Sequence, residues 1–151
     1  MKTFNGLTLT YYHKSVLPIM NRTPITPDKI REFDAACQRM LEDPNIRFVG
    51  VINPLGHLIA GGFKKGVKPL LNDQNLRMVF MQMQLDFNMR QEFDEILGPI
   101  DYIASRRKNQ LIINVPIGGN LALITAEPDS DDRKIIKKAE QLFDEIHIDT
   151  I

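Results

Sequence analysis

Cys37, His13, His57 and His147 are the nucleophile, base and metal-ligand candidates of this 151-residue chain, and each needs a particular neighbour. A thiol becomes a nucleophile when an adjacent base or cation draws off its proton. Cys37 instead shares helical spacing with Ile30, Phe33, Met40 and Leu41, which places it on a buried apolar stripe. None of the histidines has a second ligand at a metal-binding spacing such as HExxH; they fall in an N-terminal extension, a strand start and a helix end. Gly61-Gly62-Phe63-Lys64-Lys65-Gly66 has the composition of a phosphate-binding loop but lacks the GKS/T ending and follows an antiparallel strand. These residue types predict a chain that is not an enzyme and holds no cofactor and no metal.

What remains for polar recognition is two basic clusters, Lys64, Lys65 and Lys68, and Arg106, Arg107 and Lys108. Adjacent arginines present rigid, multidentate donors suited to carboxylates and phosphates, and the turn that carries them needs neither, because Asn109 can meet its conformational demand. The clusters could frame an acidic protein surface, a phosphate-bearing ligand or a nucleic-acid backbone. Nucleic acid is the weakest of these. Only Tyr102 lies near for base stacking, and 19 basic residues against 19 acidic ones leave no global field to attract a polyanion.

One cysteine excludes an intramolecular disulfide and suits a reducing compartment. The first residues, MKTFNGLTLTYYHK, carry no apolar run of signal-peptide length. The longest apolar region, Leu111 to Ala126, is interrupted by Asn114, Pro116, Gly118, Gly119 and Asn120, and falls short of the ~20 residues that span a bilayer. A cytoplasmic protein without membrane insertion is expected.

The elements that must position these residues follow from local signals. Residues 1–25, broken by Pro18 and Pro24, form an extension; residues 26–151 form the domain. Thr26, Pro27 and Asp28 start a helix, which ends before Pro44. Residues 46–53 and 57–63 read as a hairpin about an Asn53-Pro54-Leu55-Gly56 turn, with Gly61 and Gly62 marking a bulge or close packing. Residues 100–106, 111–117 and 121–127 form a three-strand meander. A last helix, capped by Asp129 or Ser130, buries Ile135, Ile136, Ala139, Leu142, Phe143 and Ile146.

Residues 81–89, MQMQLDFNM, alternate apolar and polar as a half-buried strand would. Yet Asp73 to Leu97 contains neither Gly nor Pro, and a strand of that length would be several times the usual one. The segment is therefore a helix. Every second residue on a helix advances by about 200°, so the alternation makes two stripes: Leu76, Val79, Phe80, Met83 and Phe87 on one side, Met78, Met81, Leu85, Met89 and Ile96 on the other. Arg77, Gln84, Asn88, Gln91 and Glu95 form the polar band between. Packing on one sheet uses one stripe; the second predicts a homodimer held by Met78, Met81, Leu85, Met89 and Ile96.

The stretches FVGVINPLGHLIAGG and VPIGGNLALITAEPDSDDRKIIKKAEQL, in the order helix, hairpin, long helix, meander, helix, resemble the roadblock family of dynein-associated light chains, related to the longin and profilin-like folds. As a whole, the chain is also similar to a group of small archaeal proteins. The resemblance covers residues 28–147. It implies an α+β fold: a five-stranded antiparallel sheet in the order 2-1-5-4-3, the long helix on one face and two helices on the other. It also implies homodimers joined through long helices and third strands. In that order the two basic clusters sit at one end of the sheet, roughly 19 Å apart across four strand spacings.

The family's members scaffold complexes or regulate small Ras-like GTPases. A non-enzymatic, homodimeric adaptor with a protein partner, a small GTPase by this resemblance, is the first expectation. The alternative is a small-molecule-sensing module with a pocket between sheet and long helix near Met83 and Phe87; a closed core there favours the adaptor and an open cavity the sensor.

Overall fold

Thr26 opens the first helix by accepting the amide of Lys29 on its hydroxyl at 3.2 Å, ahead of Pro27 at the first helical position. In the structure of the protein, a computed structural model that describes residues 25–146, helix α1 spans Pro27–Met40, strand β1 Ile46–Ile52 and strand β2 Leu58–Phe63. Helix α2 spans Asp73–Arg90, and a 3-10 turn over Gln91–Phe93 leads into a short helix α3, Asp94–Leu97. Strands β3 (Ile103–Arg106), β4 (Leu111–Ile117) and β5 (Asn120–Ala126) precede helix α4, Asp132–Asp144. The expectations for His13, His147 and nearly all of the N-terminal extension lie outside the described residues.

The strands form one sheet in the order β2-β1-β5-β4-β3 with every neighbouring pair antiparallel, as the resemblance implied. Successive strand residues face opposite sides, which separates two cores. Val49, Val51, Ile113, Val115 and Ile124 pack with Phe33, Cys37 and Met40 of α1 and Ile135, Ala139 and Phe143 of α4. On the other face Phe48, Ile52, Ile112, Leu121 and Leu123 pack with Phe80 and Phe87 of α2.

Two turns use glycine where the backbone requires it. Gly56, at φ +82°, closes the β1–β2 turn by donating its amide to the Asn53 carbonyl at 2.8 Å. The Asn53 carboxamide oxygen accepts the amides of Leu55 (3.0 Å) and His57 (2.9 Å). At Gly61, φ +79°, an added Cβ would lie 2.1 Å from the Val49 carbonyl oxygen and 2.9 Å from the Cys37 sulfur. Gly61 thus marks close packing under α1, while the register shift sits at Ile59, between the Val51–Ala60 and Ile52–Leu58 pairs.

Several boundaries differ from those expected. The long helix is not continuous to Leu97, because the 3-10 turn interrupts it and Gly98 ends it at φ +88°. Strand β3 has four residues rather than seven, being an edge strand with one neighbour. The cap of α4 is Asp131, whose carboxylate accepts the Lys134 amide at 3.3 Å, rather than Asp129 or Ser130. The β3–β4 turn closes through Arg107 N–H to the Gln110 carbonyl at 2.8 Å. No non-glycine among the described residues is left-handed, so Asn109 supplies no special conformation.

Candidate functional site

Helix α2 carries its two apolar stripes to different surroundings. Phe80 and Phe87 are buried against the sheet and Leu76, Val79 and Met83 are half-buried. The outer stripe is exposed in the single chain: Met78, Met81, Leu85 and Met89 retain 52–62% of their surface and Ile96 retains 83%. Phe93 and Leu97 extend it, and Leu55 and Leu58 of the first hairpin are exposed as well. The signal for Phe93 and Leu97 was in the chain, since both continue the i+4 series from Met89.

Gln84 is not part of an exposed polar band. It is buried, and its amide nitrogen donates to the carbonyls of Asn53 (2.9 Å) and Ile52 (3.4 Å). It lies one turn from Phe80 and Phe87 and thus faces the sheet, where the carbonyls at the end of β1 need donors. This bond holds the second half of α2 to the first hairpin. An added Cβ on Gly56 would come within 3.0 Å of the Met81 Cα, which shows how closely helix and turn approach.

Beneath the first half of α2 a cavity of about 520 Å³ opens between helix and sheet. Its floor is one row across all five strands, Phe63–Phe48–Thr125–Ile112–Ser105, successive members being register partners. Leu76, Val79 and Met83 roof it, and Leu70 and Leu71 of the preceding loop close one side. The Asn114 amide donates to the Met83 sulfur at 3.1 Å, which fixes that part of the roof. Thr125 is buried in the floor, and its hydroxyl has no hydrogen-bond partner.

The basic clusters follow the two ends of this row and differ in their contacts. Lys64 donates its ammonium to the Asp43 carbonyl, and Arg47 straps the following loop by donating to the Lys68 carbonyl at 2.8 Å while pairing with Glu127 at 3.1 Å. Lys65 and the side chain of Lys68 are exposed and unpaired among the described residues. Arg106 does not join its neighbours. Its guanidinium donates to the carbonyls of Pro128 and, at 3.0 Å, Ser130, and lies 3.7 Å from the Asp132 carboxylate, so it braces the loop into α4. Arg107 and Lys108 instead line the cavity, with no side-chain partner among the described residues.

Cys37 is fully buried, and loss of hydration, reinforced by the nearby Asp34 charge, pushes its thiol up to about 12. His57 is exposed. Among the described residues no group of three His, Cys, Asp or Glu side chains is placed to hold a metal, and no helix is long and apolar enough to cross a membrane.

Solved structures with the same arrangement carry related names. A roadblock/LC7 domain from Streptomyces avermitilis superposes with a TM-score of 0.59 at 9% identity, covering 75% of this chain and 92% of its own. The gliding protein MglB from Thermus thermophilus gives 0.61 at 9% identity, covering 80% and 95%. An MglB with tetrameric arrangement gives 0.60 at 12% identity, covering 82% and 96%. At such identities the likeness is one of fold: roadblock-like, with the sheet order described above. No curated protein matches the sequence. Residues 25–151, all of the domain described here, match the model of a family of unknown function, DUF6659, and the chain belongs to that family.

Proposed function

We propose that the chain is a non-enzymatic, homodimeric adaptor that scaffolds or regulates a protein partner, a small Ras-like GTPase being the partner class its roadblock-like fold suggests. The observation that carries this reading is the outer face of α2; the open cavity on the inner side of the helix favours the small-molecule-sensing alternative, and the two roles would use opposite sides of α2. Met78, Met81, Leu85 and Met89, continued by Ile96 of α3, make an apolar stripe that no described residue covers, and a patch of that kind marks an interaction surface. Its occupant is a second copy of the chain. The tetrameric arrangement named for one structural neighbour supports self-association in this fold, and the exposed edge of β3 offers a strand for pairing beside it. Fold likeness alone does not select a partner. The non-enzymatic part is supported by the burial of Cys37, which keeps its thiol protonated.

Light scattering on the full chain at tens of micromolar tests the assembly. The wild type should be a dimer and Met81→Glu/Leu85→Glu a soluble monomer, since a buried unpaired carboxylate is costly. A monomeric wild type overturns the reading. Capture of a GTPase from native lysate by wild type, and not by the monomeric variant, would support the adaptor role.

A further inference from the structure

We propose that the cavity beneath α2 is a binding site for a small amphipathic anion, an apolar body ending in a carboxylate or a phosphate. The inference goes beyond the adaptor reading and does not rest on it, because the cavity belongs to the inner side of α2 and self-association would use the outer side.

Two observations converge. The first is size and lining: about 520 Å³, walled by Phe48, Phe63, Leu76, Val79, Met83 and Leu123, falls in the ~300–1,000 Å³ range of small-molecule sites, which are mostly apolar with a few placed polar groups. The second is the charge at its edge. Among the described residues lining it, Arg107 and Lys108 alone are charged, both positively, and neither side chain has a partner among those residues. They select an anion and disfavour a cation of the same shape.

The architecture explains why the site is where it is. Gln84 and the close approach at Gly56 hold the second half of α2 down, whereas the floor under the first half includes Thr125 and Ser105, short residues that fill little space. Met83 is half-buried over the opening, its sulfur held by the Asn114 amide.

Decanoate, decyl phosphate, decanol, decyltrimethylammonium, acetate and inorganic phosphate, each titrated into the 15N-labelled full chain, test the site. Decanoate or decyl phosphate should shift the amides around Thr125, Val79 and Arg107. The tighter of the two identifies the head group as carboxylate or phosphate. Decyltrimethylammonium should bind about tenfold more weakly or less, and the two small anions should not bind. Arg107→Gln/Lys108→Gln, two exposed changes that leave the core intact, should weaken the anion by about tenfold and leave decanol unaffected; Val79→Trp should block both. Equal binding of the cationic and anionic decyl compounds, or an anion affinity unchanged by the double Gln variant, would overturn the proposal. So would shifts confined to Met81, Leu85 and Met89, which would place the probe on the outer face of α2.

Discussion

Arg106 and Arg107 are neighbours in the chain and serve opposite sides of the sheet: Arg106 reaches the Pro128 and Ser130 carbonyls in front of α4, and Arg107 lines the cavity under α2. The cause is the period of two in an extended strand. A pair of arginines that looks like one anion-binding unit is therefore one structural brace and one cation without a side-chain partner among the described residues.

The two should separate by mutation. Arg106→Ala removes both carbonyl contacts and should cost about 1 kcal/mol, modest because the side chain is half-exposed. Arg107→Ala should lie within ~0.5 kcal/mol of wild type. Urea denaturation reads the difference, and equal midpoints for the two variants would contradict the bracing role.

The proposed self-association through α2 would make stability depend on concentration. The wild-type melting temperature should rise across a hundredfold increase in protein. For Met81→Glu/Leu85→Glu it should stay flat. A flat wild-type series would count against the proposed dimer as a source of stability.

Cys37 ties stability to alkaline pH. Its folded-state thiol is raised from an ordinary value of 9.0 to about 12, so above pH 9 the unfolded chain loses this proton while the folded chain keeps it. Unfolding is then favoured as pH rises, by at most about 1.4 kcal/mol per unit. Between pH 9 and 10 the wild type should lose stability more steeply than Cys37→Ala. The variant should begin about 1 kcal/mol lower, from loss of a small buried group. Rapid modification of the native thiol by a disulfide reagent would show that Cys37 is accessible after all.

Thr125→Val replaces an unpaired buried hydroxyl with a methyl group. Without ligand the variant should be as stable as wild type or up to about 1 kcal/mol more stable, against the usual loss on changing a buried residue. Calorimetry decides; a loss above ~1 kcal/mol would show that the hydroxyl is satisfied in solution.

The sequence by itself determined the order and kind of the elements, because the signals are local. Thr26-Pro27-Asp28 starts a helix through its own caps, Asn53 to Gly56 turns through bonds within five residues, and an uninterrupted Asp73–Leu97 is too long for a strand. Sheet order came from the resemblance, and the pairing agrees with it. The two-stripe reading of α2 was legible for the same local reason, helical geometry acting on alternation, but Gln84 was not. Its burial depends on the Asn53 carbonyl, 31 residues away, which no pattern within the helix reveals. Tertiary structure alone decided the cavity. Its floor joins Phe48, Phe63, Ser105, Ile112 and Thr125, which become neighbours only when five strands pair in register, and register sets which residues share a face. The same pairing sent Arg106 and Arg107 to different work. Long-range pairing leaves no periodic trace at either partner, so these residues read as an ordinary strand threonine and a single anion-recognising pair of arginines until the sheet is assembled.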